Sequence, residues 1–514
     1  RTSLAVTATD TEKLIAPINQ NDRFIRVKLN DLEASCEVHF LYKDGDKHTL
    51  TGSAKQVDDV TKGLLTKTIT KNNYEGKFGT GFFITTDSLT SDEALIVSIG
   101  SKDKFTELKA TQIGSAIYSM LQDRGTTGNI SIHADESIEA NMASRIGFGL
   151  LLKQYKFNKY FTGKKVPKSN DFDVNILDYN GQLLMFQSLA NMAESIAFAK
   201  DLISEPSNVL YPESYADRIQ ELTKLGLKVT VFGEKELTKI GMGALLSVGQ
   251  GSARESKVVI MEWNGAQDNT PPLALVGKGV TFDTGGYSIK PSKGMGDMKY
   301  DMGGSAVVVG TMMSLALNKT KRNVVGVVGL VENMVSSTAY KPGDVITSLS
   351  GQTIEVDNTD AEGRVVLADC LWYTQREYKP TAMVNLATLT GAISVALGDQ
   401  IAGLFSNNDK LSEELLTAGK TTGEDLWRMP CDPIGERYDE YIDSSIADMW
   451  NVGKSYEASS TTAAQFLQRF VNDTPWAHLD IAGVTWNDKG SMTASGGATG
   501  WGIQLLNKWI NNGQ

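Results

Sequence analysis

The chain has 514 residues, of which 41% are hydrophobic and 22% are charged, with 61 acidic and 50 basic side chains and a formal net charge of -11. Such a composition predicts a globular protein with room for roughly two or three buried cores. The excess of acidic over basic residues disfavours nucleic acid or an anionic membrane as the main partner. No apolar run reaches about 18 residues, which argues against a membrane span.

Three cysteines, Cys36, Cys370 and Cys431, lie far apart and without CxxC spacing. They indicate neither a disulfide framework nor a thiolate zinc site, so we expect a reducing compartment and a cytoplasmic protein. The first residues, RTSLAVTATD, contain no apolar signal core. Because an initiator Met is missing there, a trimmed leader stays open as an alternative.

Strand-like and helix-like patterns alternate from residue 1 to about 165 and predict a smaller N-terminal α/β domain. The strand-like runs are FIRVKL, ALIVSI and ISIHAD, and the helix-like runs are ELKATQIGSAIYSMLQ and SIEANMASRIGFGLLLKQY. The polar, basic stretch YFTGKKVPKSNDFD at 160–173 indicates a domain boundary or an exposed loop. We therefore assign 1–165 to the first domain and 166–186 to a linker region.

A helical pattern, QSLANMAESIAFAKDLIS, resumes at about 187 and is expected to end at Glu205-Pro206. Beyond it, short strands that are apolar along nearly their whole length alternate with helical segments. Strands of this kind suit a sheet that helices cover on both faces. The sequence therefore predicts a larger α/β/α domain at 187–514 with a mostly parallel central sheet.

Charged residues interrupt the apolar strand ALVGKGVTF, which contains Lys278 and ends at Asp283. A lysine in such a strand is costly unless it has a function or a path to solvent. Taken alone, Lys278 could extend from a strand edge into water. Asp283 and Asp301 could each form a turn, and Lys290 could be a solvated surface charge.

The segment NTDAEGRVVLAD, at 358–369, also has a structural interpretation. Asn358, Thr359 or Asp360 could cap a helix, with acidic residues stabilising its first turn. In isolation the segment favours that interpretation. However, Gly363 would weaken the helix by about 1 kcal/mol, and a position that needs close backbone approach explains this glycine better.

Four carboxylates, those of Asp283, Asp301, Asp360 and Glu362, are predicted at strand ends or loops of sheet-forming sequence. An open α/β sheet carries its sites at the carboxyl edge, and converging carboxylates repel unless cations neutralise them. Two divalent metals would do so. None of the four histidines lies in these segments, so the ligands would be mostly oxygen atoms, which zinc, manganese or magnesium accepts.

These residues carry a family resemblance. NTDAEGR resembles the hallmark of the leucyl aminopeptidase (cytosol aminopeptidase) family of dinuclear metallopeptidases, and VGKGVTFDTGG, SIK and DMKYDMGG match its other active-site segments in order and spacing. KDLISEPSNVLYPE, NLATLTGA, TAAQFL and WAHLDIAG are also similar to it. The resemblance is strong over roughly 180–510. The N-terminal third matches only in general pattern.

The resemblance implies a metal-dependent aminopeptidase with two divalent ions, zinc with manganese, magnesium or cobalt as alternatives at an exchangeable site. One ion would be held by Lys278, Asp283, Asp301 and Glu362. The other would be held by Asp283, Asp360 and Glu362, with the Asp360 backbone carbonyl as a further donor. To bind a metal, Lys278 must be a neutral amine.

The remaining roles are also implied by the resemblance. Lys290 would stabilise the oxyanion, and Arg364 would hold a bicarbonate that relays a proton. Met298 and the loop Thr388, Leu389, Thr390 and Gly391 would form a pocket for an apolar first residue, although Met298 alone would more simply be a core methionine. The substrates would be short peptides with a free N-terminus. The family also forms homohexamers of two stacked trimers.

Two other functions are weighed against this one. A two-metal phosphoesterase also gathers carboxylates and lysines, but VGKGV is weak as a phosphate motif and no GxxxxGK[ST] occurs. A DNA-binding or assembly role, as some family members have, would add to catalysis, and the acidic balance makes nucleic acid an unlikely partner.

Overall fold

The computed structural model describes residues 27–28, 34–135, 137–166, 172–178, 183–453 and 456–512. The first ten residues lie outside this part, as does most of FIRVKL. Contacts divide the chain into a smaller unit, 1–194 with 489–496, and a larger unit, 195–488 with 497–514. The division at 165 and 187 stays a prediction. The span that we assigned to a linker contains a strand of the smaller unit, Phe172–Asp178.

The smaller unit is an α/β structure built on one seven-stranded sheet. Its strands are β1 (Val27–Lys28), β2 (Cys36–Asp44), β3 (Lys47–Leu50), β4 (Gly81–Ile84), β5 (Glu93–Ser98), β6 (Gly128–Ala134) and β7 (Phe172–Asp178). Its helices are α1 (Gly52–Val60), α2 (Leu64–Lys71), α3 (Glu107–Arg124) and α4 (Ala140–Lys153). The strand order is β1-β7-β6-β2-β5-β4, with β3 paired to β2. Strands β1, β7, β6, β2 and β5 are parallel, and β3 and β4 pair antiparallel.

Helix α5 (Leu183–Ser204) follows, and it ends just before Glu205-Pro206, as the position of the proline predicts. The division between the two units falls within this helix, between Glu194 and Ser195. Among the described residues no helix is both long and apolar enough to cross a bilayer.

The larger unit is organised around an eight-stranded sheet. The strands of the unit are β8 (Lys228–Phe232), β9 (Lys257–Asn264), β10 (Leu273–Asp283), β11 (Asn323–Asn333), β12 (Val345–Thr347), β13 (Thr353–Glu355), β14 (Ala382–Ala387), β15 (Ala402–Ser406), β16 (Leu426–Arg428), β17 (Met449–Trp450), β18 (Trp476–Asp480), β19 (Trp486–Asn487) and β20 (Gly497–Ala498). The order in the eight-stranded sheet is β16-β15-β18-β14-β10-β11-β9-β8. Strands β11, β10, β14 and β18 are parallel neighbours, and β9 and β15 flank them in the antiparallel direction. The mostly parallel sheet is confirmed.

Nine helices of the larger unit are described after α5. They are α6 (Pro212–Gln220), α7 (Glu234–Ile240), α8 (Gly243–Gly249), α9 (Gly303–Leu317), α10 (Glu362–Tyr378), α11 (Gly391–Leu397), α12 (Asp409–Thr422), α13 (Ser459–Gln468) and α14 (Ile503–Asn511). Short 3₁₀ turns occur as well, including Met295–Tyr300, which lies just before α9.

Helices cover the parallel strands on both faces, and glycines allow them to approach closely. A Cβ on Gly277 of β10 would lie 2.6 Å from the Cα of Ser305 in α9. A Cβ on Gly363 in α10 would lie 2.5 Å from the Cε of Lys278, the next residue of β10. Because successive strand residues point to opposite faces, α9 and α10 pack on opposite sides of the sheet. This is the predicted α/β/α arrangement.

The carboxyl ends of the parallel strands form one edge of the sheet. Asp283 ends β10 in register with Asn333 at the end of β11. Asp480 ends β18 in register with Ala387 at the end of β14. Polar groups at the ends of adjacent parallel strands therefore meet at this edge, where open α/β sheets place their sites.

Candidate active site

Lys278 is buried in the middle of the strand and does not reach solvent, so the interpretation as a solvated edge lysine is wrong. Only 2% of its surface is exposed. Its Nζ donates a hydrogen bond to Asp301 Oδ1 at 2.7 Å and to the carbonyl of Thr388 at 3.0 Å. Nζ also lies 3.0 Å from Glu362 Oε1. A buried ammonium needs such partners, because desolvation disfavours its charge.

Three carboxylates converge on this lysine from three separate elements. Asp283 is the last residue of β10, Asp301 follows the 3₁₀ turn Met295–Tyr300, and Glu362 is the first residue of α10. One oxygen from each lies within 4.8 Å of the others, and all three residues are buried. The structure therefore brings together carboxylates that are up to 79 positions apart in the chain, from Asp283 to Glu362.

The helix-capping interpretation of NTDAEGR is also wrong. The residue before α10 is Ala361, and no side chain caps that helix end. Asn358 accepts a hydrogen bond from the Asp360 backbone N–H at 2.8 Å, and the Thr359 hydroxyl accepts one from the Ser288 backbone N–H at 2.8 Å. These side chains fix the loop itself rather than the helix, so the loop presents Asp360 to the site.

Lys290 provides the second cation of the cluster. It forms an ion pair with Asp360, and its Nζ lies 3.0 Å from Asp283 Oδ2. Its side chain is 19% exposed, in contrast to Lys278. The turn between the two lysines contains Gly285 and Gly286 with φ of 86° and 65°, a left-handed conformation that favours glycine. The turn allows the chain to bring Lys290 back to Asp283.

The pKa values follow the local balance of burial and charge. Burial and the neighbouring carboxylates of Asp283 and Glu362 raise the pKa of Asp360 to about 7. Burial likewise raises the pKa of Asp301 and Glu362. Burial opposes the charge of Lys278, yet Asp301, Glu362 and Asp283 raise its pKa above the ordinary value. The four carboxylates outnumber the two ammonium groups, so the site favours additional positive charge.

The donor set fits divalent metal ions. Asp301 Oδ2 and both Glu362 oxygens are buried and have no hydrogen-bond partner of proper geometry among the described residues. Unsatisfied buried carboxylate oxygens are costly, and hard divalent cations are bound by such oxygens. The arrangement of Asp283, Asp301 and Glu362 can therefore hold a cation.

Arg364 lies on the first turn of α10 and is buried, with 5% of its surface exposed. Its Nη1 donates to the backbone carbonyl of Asn451 at 2.9 Å, and its Nε has no hydrogen-bond partner among the described residues. Burial lowers the pKa of Arg364 to about 10. A guanidinium fork with free donor capacity is suited to a small planar anion.

The predicted pocket residues flank the cluster. Met298 is half-buried in the 3₁₀ turn, and its carbonyl accepts a hydrogen bond from the Asp301 N–H at 3.3 Å. The Thr388 hydroxyl donates to Asp301 Oδ1 at 2.8 Å. The residues Leu389, Thr390 and Gly391 continue the same loop, and Gly391 begins α11. These positions connect the loop after β14 to the carboxylates.

Sequence analysis missed several residues that position the site. Asn333 donates to Asp283 Oδ1 at 2.8 Å and to the Thr359 carbonyl at 3.0 Å. Asn451 donates to the carbonyls of Asn358 and Ala361. Asp480 accepts from the Leu389 N–H and the Thr390 hydroxyl, at 3.2 and 2.6 Å. Asn333 and Asp480 end the strands that lie beside β10 and β14, and this position at strand ends could have indicated their role. Asn451 lies outside regular secondary structure, and no sequence pattern indicated its role.

The fold and this site define a metal-dependent hydrolase of the α/β class. A model of the cytosol aminopeptidase family, catalytic domain, matches residues 197–507, and one of the family's N-terminal domain matches residues 38–164. The N-terminal similarity therefore extends beyond the general pattern that the sequence suggested.

Relatives match along most of the chain. A probable cytosol aminopeptidase of Ehrlichia ruminantium (strain Gardel) is 49% identical over 474 residues, covering 91% of this chain and 92% of the relative. A probable cytosol aminopeptidase of Caulobacter vibrioides is 47% identical over 467 residues, covering 90% of this chain and 93% of the relative. The solved structure of the bottromycin maturation enzyme BotP in complex with Mn is 29% identical, with a TM-score of 0.80 over 93% of this chain and 99% of that chain.

The chain thus belongs to the cytosol aminopeptidase family and is a metal-dependent aminopeptidase, a hydrolase.

Proposed function

We propose that this enzyme removes the N-terminal residue, preferentially Leu or another apolar residue, from short peptides with a free amino terminus. The observation that carries the proposal is the buried cluster of Asp283, Asp301 and Glu362 around the Lys278 amine. Its carboxylate oxygens without a hydrogen-bond partner and its excess of negative charge suit two divalent cations.

The ligand sets are those that the family resemblance implies. Lys278, Asp283, Asp301 and Glu362 would hold one ion, and Asp283, Asp360 and Glu362 the other. Zinc fits this mixed oxygen and nitrogen set, with manganese, magnesium or cobalt at the exchangeable position. Lys278 would bind as a neutral amine, because adjacent cations oppose an ammonium charge.

Two bound ions would supply a hydroxide near neutral pH from a shared water, a binding point for the substrate amine and polarisation of the scissile carbonyl. The free amine would then be a requirement for cleavage. The protein confines this chemistry to a buried edge of the sheet, where the ligands are held by three different elements.

Lys290 would donate a hydrogen bond to the oxyanion that forms as the carbonyl is attacked. It is the more exposed of the two lysines, and Asp283 and Asp360 raise its pKa above the ordinary value although burial opposes this. In this role Lys290 would keep its proton at neutral pH. A contact that strengthens as charge develops accelerates the reaction rather than only binding the substrate.

Arg364 would hold a bicarbonate ion, which would relay a proton from water to the leaving amine. The buried guanidinium has an unused Nε–H, and a planar oxyanion offers a matching pair of acceptors. Met298 with Thr388, Leu389, Thr390 and Gly391 would form the pocket for the first side chain. Each methylene buried there contributes about 0.8 kcal/mol, so selectivity should be graded rather than absolute.

We further propose a homohexamer of two stacked trimers and a cytoplasmic location. The three cysteines are all free, in keeping with a reducing compartment. Large apolar side chains such as Val395, Ile446 and Tyr456 are exposed on the larger unit, and assembly would cover surface of this kind. An added DNA-binding role would give salt-dependent retention on DNA. A phosphoesterase would instead hydrolyse phosphate esters.

A direct assay compares leucine amide with acetyl-leucine amide, using metal-loaded and chelated protein. The proposal predicts release of leucine from the free amine alone, and only with metal present. Hydrolysis of the acetylated compound, or undiminished activity after complete demetallation, would refute the mechanism. Parallel assays with valine, alanine and glycine amides would test the graded preference.

A further inference from the structure

The smaller unit contains a second group of metal-binding side chains. Glu37 and His39 lie two residues apart on β2 and therefore share one face of the sheet. The parallel register pairs Glu37 with Ser131 and Val38 with Ile132, so His39 lies beside His133 on β6. The pairing of these two strands thus gathers one carboxylate and two imidazoles.

The spacing of these three side chains fits one ion. One ligand atom from each lies within 4.8 Å of the others. His39 Nε2 is 3.1 Å from Glu37 Oε2, and the His39 and His133 ring centroids are 4.3 Å apart with an interplanar angle of 23°. Zinc–nitrogen bonds of about 2.0–2.1 Å in a tetrahedron place ligand atoms about 3.4 Å apart. The His39–Glu37 pair is already near that distance, and side-chain rotation can bring His133 to it.

Outer contacts hold His39 in the orientation that a metal ligand needs. Its other ring nitrogen, Nδ1, lies 2.9 Å from the Ser53 hydroxyl on α1. The Ser53 backbone N–H donates to Asp135 Oδ2 at 2.7 Å, and the Ser53 side chain also hydrogen-bonds this carboxylate. Histidine ligands usually have their second nitrogen fixed by such a polar chain. In the metal-bound form Nδ1–H would donate to Ser53, and Nε2 would be free to bind the ion.

Charge and access also suit a cation. The Glu37 carboxylate contributes a negatively charged oxygen beside His39 Nε2, at 3.1 Å. The Glu37 side chain is 18% exposed and His133 is half-buried, whereas His39 is 2% exposed. An ion can therefore enter from the Glu37 and His133 side and keep a water as its fourth ligand.

We propose that Glu37, His39 and His133 form a zinc-binding site in the smaller unit, with ligands distinct from those of the carboxylate–lysine cluster. Two imidazoles and a carboxylate with a water match the donor preference of zinc and disfavour magnesium, which prefers oxygen ligands. The bound ion would link β2 to β6 and stabilise the smaller unit, because it binds the folded chain alone.

Metal counting on the full-length protein tests this site. The protein would be stripped with chelator, equilibrated with zinc and desalted, and zinc per chain would be measured by plasma mass spectrometry. Glu37→Gln and His133→Asn are the test variants, because both side chains are partly exposed and both replacements are polar. His48→Asn, on the adjacent β3 strand, is the matched control.

The site predicts that each test variant binds one zinc fewer per chain than the wild type, while the control variant binds as many as the wild type. Zinc should also raise the thermal midpoint of the smaller unit in the wild type, and do so less in the test variants. Zinc counts that are equal in all four proteins would overturn the proposal. So would anomalous diffraction at the zinc edge with no peak beside His39 Nε2 in zinc-soaked crystals.

Discussion

Lys278 donates a 2.7 Å hydrogen bond to Asp301, although one residue lies inside an almost entirely buried strand and the other follows a 3₁₀ turn 23 positions later. The ammonium and the carboxylate are 3% and 7% exposed as side chains. Removing one partner of such a pair leaves the other charge buried and unpaired. A substitution at either residue would therefore lower the stability of this edge of the sheet.

Lys278→Met should lower metal affinity because it keeps the length of the side chain and removes the nitrogen donor. We expect affinity to fall by more than about 100-fold, beyond the usual effect of removing an outer partner. Isothermal titration of chelated protein with zinc measures the change. Lys257→Met, on strand β9 of the same sheet, is the matched control. An unaltered titration of Lys278→Met would argue against its role as a ligand.

Gly363→Ala should impair catalysis although it favours the helix. Alanine would improve intrinsic helix stability by about 1 kcal/mol. Its Cβ, however, would lie 2.5 to 2.7 Å from Cε, Cδ and Nζ of Lys278, so that side chain must move. We expect kcat/KM for leucine amide to fall at least about 10-fold.

The control for this change is Gly296→Ala, where a Cβ meets open space. It should keep kcat/KM within about twofold of the wild type. Equal activity of the two alanine variants would mean that the close approach of α10 to Lys278 is unimportant.

Asn451 should act as a positioning residue for the NTDAEGR loop. Its side chain donates to the Asn358 and Ala361 carbonyls and accepts from the Asp357 N–H, and its own carbonyl accepts from Arg364. Asn451→Ala removes the side-chain partner of the Asn358 and Ala361 carbonyls and of the Asp357 N–H, each of them part-buried, whereas the backbone bond to Arg364 can remain. The loss of such partners costs up to about 1–3 kcal/mol each. We expect kcat to fall about 10- to 100-fold with a smaller change in KM. A variant that unfolds earlier but keeps its kcat would indicate a purely structural role.

His478 should make the larger unit sensitive to acid. Trp476 Nε1 donates to Asn385 Oδ1, so the Asn385 amide must donate to His478 Nδ1 at 2.8 Å, which requires a neutral imidazole. Burial, with the charge of Arg364, lowers the pKa of His478 to about 3 from 6.5. Between pH 6.5 and about 3 the unfolded chain therefore binds a proton at His478 that the folded chain does not bind. The stability that the neutral His478 contributes is complete above the unfolded pKa and is lost as the pH falls below it.

Urea denaturation at about pH 7 and about pH 5 measures this effect. The wild type should lose about 2 kcal/mol more of its unfolding free energy over this interval than His478→Gln, which cannot take up the proton. The same loss in both proteins would contradict a buried neutral histidine.

Local pattern predicted much of the fold. The end of the helix before Pro206 follows from the geometry of proline. The strand ALVGKGVTF follows from its continuous apolar character, and neighbouring strands and helices stabilise it. The strand Phe172–Asp178 escaped prediction because charged and polar residues around it hid its short alternation. Its place in the sheet depends on pairing with β1 and β6, which are distant in sequence.

Part of the candidate site could likewise be predicted from local sequence pattern. Asp283 and Lys278 are conspicuous in an apolar strand, and Gly363 is conspicuous in a helix. The capping interpretation failed because the Asn358 side chain bonds the Asp360 N–H within the loop, and the Thr359 hydroxyl bonds Ser288 and Gly285 in a turn about 70 residues away. Asn451 was not predictable, because only the folded chain shows which carbonyls it faces.

The most direct test of the account is anomalous diffraction from crystals of active, zinc-loaded enzyme, measured on both sides of the zinc absorption edge. Two bound metal ions predict two peaks among the oxygens of Asp283, Asp301, Asp360 and Glu362, one of them within bonding distance of Lys278 Nζ. Catalytically active crystals with no peak among these carboxylates would contradict it.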